Sequence, residues 1–356
     1  MDEPWLRHYD DGVPASLEYP RVALTHYLAQ SASRFADHAC TIYKDQSISF
    51  AQMDTLSDQL AAALGALGVE KGDRVGLLLP NIPQFVLAFY AILKAGGVVV
   101  ALNPQYKQRE LEYQIEDSGL RVMIAMAELN ALLDQVTQTL PLTAIILTEA
   151  EDAFCLADTL QQASKSQQFE PSKPGVYWLL DLLRSRDRHW QPVEVLPNDV
   201  AIFQYSGGTT GISKAAIVLH RNLAANTLQF RRWLVGLEEG KEAVLAAIPL
   251  YHVYGMVIGM SVSVALGASM VLLPNGRDIT AIIQQIEQYH ATLFPGVPTL
   301  YQSVNQHPDV LAGRYNLRSV KACISGSAPP LFSYASSAAS AWVGDTPPSA
   351  TAASAG

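Results

Sequence analysis

The spacing of apolar and polar positions changes period repeatedly along the chain, and each change predicts an element. Thr25 to Phe35 reads as a helix, and CTIYK followed by SISF reads as a hairpin turned at Asp45-Gln46. Leu56, Leu60, Leu64 and Leu67 recur at helical spacing over Met53 to Leu67, with Gly68 as the stop signal. Strand Val75 to Leu79, helix Gln84 to Ala95 and strand Val98 to Leu102 form a β-α-β unit. The helical RELEYQIEDSG, strand RVMIAM, helical ELNALLDQVTQTL and strand AIILTEA repeat the alternation. That order predicts an α/β fold with a mostly parallel sheet.

Between Ala157 and Pro197 the pattern dissolves into polar and proline-rich sequence, a surface excursion with one short helix around Trp178 to Arg184. Strand Asp199 to Tyr205 restarts the order, followed by strand AAIVL and a helix from Asn222. VLAAIPL then reads as a strand, Gly255 to Gly267 as a short apolar helix and ASMVLLP as a strand. Ile279 to Tyr289 is helical, ATLFPGVP is a strand and turn, and RSVKACISGSAP is a strand ending in a Gly/Ser loop. No Asp, Glu, Lys or Arg occurs from Ala243 to Gly276. Its one helix, roughly a dozen residues, is too short for a ~30 Å hydrocarbon core, so the segment reads as buried core. From Ser333 to Gly356, Ala and Ser dominate without apolar periodicity, which predicts a low-complexity tail that packs no domain.

Composition narrows the function classes. With 49% hydrophobic and 16% charged residues, the 356-residue chain can bury a substantial core. A net charge of -9 argues against a sequence-independent grip on nucleic acid. Cys40, Cys155 and Cys323 lie far apart without C-x-x-C spacing, which suggests neither a zinc site nor a disulfide framework and points to a reducing cytosol. The opening MDEPWLRHYDDGVP has no apolar stretch of the kind a secretory signal needs.

The densest chemical signal is YSGGTTGISK, Tyr205 to Lys214, directly after an apolar strand. Glycines let backbone N-H groups converge on an anion, Ser206, Thr209 and Thr210 add hydroxyl donors, and Lys214 adds a mobile positive charge. A polyphosphate suits that set. A Walker A loop needs its lysine directly after the last glycine and a helix next, whereas here Lys214 stands three residues after Gly211 and precedes a β-like run. The dinucleotide fingerprint fails on the spacing of Gly207, Gly208 and Gly211. The bland alternative is a glycine-rich hairpin between two strands.

At these residues the chain resembles the adenylate-forming superfamily, the AMP-binding acyl-CoA synthetases, whose signature reads approximately [ST]-[SG]-G-T-T-G-x-[PA]-K-G with H-R-N shortly after. Ser206, Gly207, Gly208, Thr209, Thr210, Gly211 and Lys214 match it in order, and His220-Arg221-Asn222 supplies the triplet. The Gly207-Gly208 pair and the opening WLRHYDDGVPASLEYP resemble bacterial long-chain fatty-acid-CoA ligases in particular. Ser213 and Ala215 depart from the pattern, and a Cβ at Ala215 would narrow the loop if its φ were positive. Tyr251, His252 and Gly255 fall in a segment resembling the family's P-x-x-H stretch beside the acyl pocket, with Gly296 in its V-P segment. Gly326, Ser327, Ala328 and Pro329 resemble the loop that lies against the adenine.

The resemblance implies a large N-terminal domain of β-sheets flanked by helices plus a distorted barrel, here incomplete. It further implies ATP-dependent activation of a fatty acid to an acyl-adenylate with Mg²⁺, then transfer to CoA. Residues 1–330 are expected to be a partial AMP-binding domain, and 331–356 an out-of-frame tail. After Pro330 the family's Y-G-x-T-E glutamate, T-G-D aspartate and adenylation lysine have no counterpart. Two readings follow: a ligase by descent whose truncated chain is inactive alone, or a non-catalytic remnant that binds ATP or fatty acid. A cytoplasmic location is expected, with peripheral contact at the inner membrane as a further family expectation.

Overall fold

The computed structural model describes residues 3–162, 173–184, 191–206 and 213–326. Among them, thirteen strands form two sheets. The first has six strands: β1 (Ala39–Tyr43), β2 (Gln46–Ser49), β10 (Ala243–Ala246), β11 (Ser269–Leu272), β12 (Leu293–Gly296) and β13 (Ala322–Ser325), in the order β13-β12-β10-β11-β1-β2. The second has seven: β3 (Arg74–Leu78), β4 (Val98–Ala101), β5 (Val122–Met126), β6 (Ala144–Thr148), β7 (Val176–Trp178), β8 (Val200–Ser206) and β9 (Lys214–Leu219), in the order β7-β6-β5-β3-β4-β8-β9. All pairings are parallel except the two hairpins, β1 with β2 and β8 with β9. The distorted barrel expected beside the sheets has no counterpart among the described residues.

Local chemistry explains the element ends. The helix Phe50–Ala66 starts at a capping box: Gln52 N-H donates to Ser49 Oγ at 3.2 Å, and Ser49 N-H to Gln52 Oε1 at 2.9 Å. The first hairpin turns at Lys44-Asp45, one residue earlier than the sequence suggests, because both take left-handed φ values of 46° and 65°. Asp45 is held there by Tyr289 Oη and Gln288 Nε2, the latter at 2.6 Å. The excursion Ala157–Pro197 contains more order than its composition suggests: helix Leu156–Gln162, then β7, which adds an edge to the second sheet, and helix Leu179–Arg184. Helices Pro298–Asn305 and Pro308–Leu311, each opened by a proline at its first turn, add to the elements expected from the sequence, and the first buries Leu300, Tyr301 and Val304 at helical spacing.

The helix Pro83–Lys94 explains how the sheets share one core. Every residue from Pro83 to Leu93 is buried, as expected of a helix that is apolar all round. Its side chains join a cluster that includes Val75 and Val99 of one sheet with Val244 and Met270 of the other. The helical part of the charge-free segment is likewise interior: a π-helical stretch Gly255–Ser261 runs into helix Val262–Leu266, and every residue of the two is buried. Ser261 and Ser263 donate their hydroxyls to the carbonyls of Met256 and Gly259 at 3.0 and 2.9 Å, so the buried segment carries satisfied polar groups. Among the described residues no helix is long and apolar enough to cross a membrane.

Candidate functional site

The neck of the glycine-rich loop is a two-stranded ribbon. β8 ends at Ser206, β9 begins at Lys214, and the two pair directly, with Tyr205 opposite Ala215. Ser213 Oγ donates to Ser206 O at 2.7 Å, closing the neck from the side. Tyr113 Oη donates to Ser213 O at 2.6 Å, and Tyr205 Oη to Asp117 Oδ2 at 2.6 Å, so helix Gln108–Ser118 anchors both strands. Burial, then the Asp117 carboxylate, raises the Tyr205 phenol above its usual range, keeping it a neutral donor. Ser213, at the position where the family pattern has proline or alanine, therefore supplies a neck bond. Ala215 sits in the ladder and is not among the residues with positive φ, so its Cβ meets no left-handed strain. Lys214 is exposed at the neck. Gly207, Gly208, Thr209, Thr210 and Gly211 lie outside the described residues.

The triplet after the loop is structural. Asn222 Oδ1 accepts Leu219 N-H at 3.0 Å, at the start of helix His220–Trp233. His220 is only 1% exposed, and its Nδ1 accepts Leu24 N-H at 3.2 Å. Burial lowers its imidazole to about 4, so it is a neutral acceptor that ties the hairpin's exit to the N-terminal segment.

The second group of candidates follows β10. Asn81, 3% exposed and just past β3, donates Nδ2 to Ala246 O and Ile248 O at 2.8 and 2.9 Å. Its Oδ1 accepts Leu250 N-H at 2.8 Å. These bonds end β10 at Ala246, four residues before the strand expected from VLAAIPL, and turn the chain into a tight loop. His252 N-H closes on Pro249 O at 3.1 Å and Met256 N-H on His252 O at 2.9 Å. At Gly255 a Cβ would stand 2.3 Å from Pro249 O, so only glycine fits the start of the π-helical stretch. His252 is exposed, its Nδ1 accepts Tyr254 N-H at 3.2 Å, and partial desolvation lowers its imidazole.

Tyr254 connects this loop to the two neighbouring strand ends. Its hydroxyl lies 3.1 Å from Gly296 O and 2.5 Å from Ile324 O, and burial raises its phenol. Tyr301 Oη lies 2.7 Å from Phe294 O and 2.6 Å from the same Ile324 O. A Cβ at Gly326 would come within 2.8 Å of the Tyr254 ring, and one at Gly296 within 2.7 Å of the Tyr301 ring. Gly296 and Gly326 are thus bare positions under two tyrosine rings, at the carboxyl ends of β12 and β13. Ser327, Ala328 and Pro329 lie outside the described residues. Tyr251 borders a cleft of about 450 Å³ with Gln105, Ile248, Gly276, Arg277 and Val297.

Parallel pairing puts the carboxyl ends of β3, β4 and β8 on one edge of their sheet, and those of β10, β12 and β13 on one edge of the other. Asn81 bonds across the two edges. In open α/β sheets, ligands occupy the crevice outside the strands' carboxyl ends. The ends carrying Ser206, Tyr251 to Gly255, Gly296 and Gly326 are the ones that the sequence motifs single out. Asn81, Tyr113, Asp117 and Tyr301 escaped sequence reasoning. The available signal for Asn81 was a lone amide between an apolar strand and Pro83. Among the described residues no group of three His, Cys, Asp or Glu side chains converges as a metal site.

Comparison with known proteins gives this geometry a family. The profile of the AMP-binding enzyme family matches residues 28–344. The long-chain-fatty-acid--CoA ligase of Bacillus subtilis (strain 168) is 34% identical over 332 residues, covering 92% of this chain and 59% of that protein. The enzyme of the same name from Escherichia coli O6:H1 is 32% identical over 314 residues, covering 85% and 56%. This chain therefore spans somewhat more than half the length of those relatives. Among solved structures, a long-chain-fatty-acid-CoA ligase from Archaeoglobus fulgidus superposes with a TM-score of 0.78 at 23% identity, over 94% of this chain and 63% of that one. An anthranilate CoA ligase in complex with anthranoyl-AMP superposes with a TM-score of 0.78 at 23% identity, over 92% and 59%. At that identity the superpositions speak for the fold, and the sequence profile for the kinship. This chain belongs to the AMP-binding enzyme family.

Proposed function

We propose that this chain forms the ATP-phosphate and acyl side of a fatty-acid-CoA ligase site. The hairpin neck Ser206–Lys214 would present the intervening loop to the β- and γ-phosphates of ATP. The Tyr251–Gly255 loop and Gly296 would border the fatty acid, and Gly326 to Pro329 the adenine. What supports this reading is that Ser206, the Tyr251–Gly255 loop, Gly296 and Gly326 each follow or end a strand at its carboxyl end, in two sheets that Asn81 bonds together. The reaction would be attack of the fatty-acid carboxylate on the α-phosphate, giving acyl-adenylate and pyrophosphate, then displacement of AMP by the CoA thiol. Positive charge and hydroxyl donors fixed before the reaction lower the cost of the charge that develops on the phosphates. Lys214 would supply part of that positive charge.

The sequence offers no match to the family's metal-binding glutamate, ribose aspartate or adenylation lysine. We therefore propose that the 356-residue chain alone binds ATP and fatty acid without completing adenylation. Palmitate-dependent exchange of labelled pyrophosphate into ATP tests both parts, run beside equilibrium binding of each ligand. Binding without exchange is expected. Measurable exchange would overturn the inactivity, and absence of binding for both ligands would overturn the site.

A further inference from the structure

Asn81 follows a strand end of one sheet and hydrogen bonds three backbone groups at and just after a strand end of the other: Ala246 O, Ile248 O and Leu250 N-H. We infer that Asn81 is a positioning residue for the acyl-side loop: it holds residues 246–250 so that Tyr251, His252 and Tyr254 project into the crevice. The inference rests on the acyl-side reading above and extends it to a residue that touches no substrate.

The chemistry of the clamp is specific. An amide offers an acceptor and two donors on one planar group, and the partners here are one N-H and two carbonyls. The amide orientation is fixed by those partners, because a flipped group would set Nδ2 against Leu250 N-H and Oδ1 against two carbonyl oxygens. Aspartate would keep the acceptor for Leu250 N-H, lose both donors and set a carboxylate against two carbonyls. Leucine would fill the space and satisfy none of the three groups. The loop has a second fixed point, since Tyr254 Oη reaches Gly296 O and Ile324 O at 3.1 and 2.5 Å. Asn81 holds the entry of the loop and Tyr254 its exit, so a loosened entry would shift the side chains between them.

Gln84 provides the matched control. It is 0% exposed, lies one turn further along the same segment, and donates Nε2 to Glu149 O at 2.8 Å and Thr148 Oγ1 at 3.3 Å. Those partners belong to its own sheet, away from the acyl-side loop. Both amides support the fold, but only Asn81 touches the loop.

The test compares Asn81→Ala, Asn81→Asp and Gln84→Ala in the full chain by hydrogen-deuterium exchange and by palmitate and ATP binding. In the unaltered protein the Leu250 amide should be protected from exchange. Both Asn81 variants should exchange faster across 248–254 and bind palmitate about tenfold more weakly, the loss expected when a buried hydrogen-bonded group is left unpaired. ATP binding should change much less. Gln84→Ala should lower thermal stability without either effect. Equal effects from Asn81→Ala and Gln84→Ala, or unchanged exchange at 248–254 in both Asn81 variants, would overturn the inference. If the variants do not fold, the protection of Leu250 in the unaltered protein decides, and a freely exchanging amide there refutes the clamp. An unaltered chain that binds no palmitate would overturn the acyl-side reading instead, leaving the exchange comparison to decide the clamp.

Discussion

His220 sets a pH limit on stability that follows directly from its burial. Its imidazole is 1% exposed, accepts Leu24 N-H at 3.2 Å and is held at about 4 by desolvation, against 6.5 for an unburied histidine. Asp199 opposes that shift and Lys71 adds to it, but burial dominates. The unfolded chain therefore takes up a proton near 6.5, while the folded chain resists protonation until about 4. The stabilisation is present above about 6.5 and is lost as pH falls through the window down to about 4. At ~1.4 kcal/mol per pH unit, moving from pH 7 to pH 5 removes about 2 kcal/mol through this one group. Asp199, whose carboxyl is held below its usual value by its bond to Lys71, titrates below that interval and does not confuse it. Urea unfolding at the two pH values, in the unaltered protein and in His220→Gln, isolates the effect. Glutamine is a neutral acceptor that does not titrate, so the variant should lose about 2 kcal/mol less between pH 7 and pH 5. Equal losses in the two proteins would refute the assignment of a buried neutral histidine.

Two further perturbations probe the site's frame. Tyr113→Phe removes the 2.6 Å bond to Ser213 O at the hairpin neck, and should weaken ATP binding by about three- to tenfold in titration calorimetry while palmitate binding stays unchanged. Gly276→Ala would place a Cβ 2.0 Å from Ala247 O, a backbone atom in the floor of the cleft, and should destabilise by about 3 kcal/mol in thermal unfolding. Gly259→Ala, whose Cβ would meet only Leu250 Cδ2 at 3.5 Å, should stay within about 0.5 kcal/mol of the unaltered protein.

The alternation of elements was legible because each parallel strand is a short apolar run and each surface helix an apolar stripe. Helix Ile279–Tyr289 has the bounds that its pattern predicts, with Asp278 accepting Ala281 N-H at 3.0 Å as its cap. What the pattern could not carry was the division into two sheets, because β1 and β11 pair across some 230 residues and no local period records such a partner. β7 escaped because its three residues, Val176–Trp178, sit within polar sequence and gain strand structure only by pairing with β6. The site followed the same rule. Motifs named Ser206, Lys214, His252 and Gly326, since their residue types are unusual where they stand. The groups that fix those motifs, Asn81, Tyr113 and Tyr301, are ordinary residues whose role exists only through partners distant in sequence. Ser213, a departure from the family pattern, proved to be part of the neck.

In the proposed site the Ser206–Lys214 hairpin holds the phosphates of ATP beyond the first. Calorimetric titration of ATP and of AMP into the unaltered chain and into Lys214→Ala tests it most directly. ATP should bind more tightly than AMP to the unaltered chain. Loss of one charge-assisted contact should weaken ATP about tenfold or more in Lys214→Ala and leave AMP unchanged. Unchanged ATP affinity in Lys214→Ala, or equal losses for ATP and AMP, would rule out that role for the hairpin.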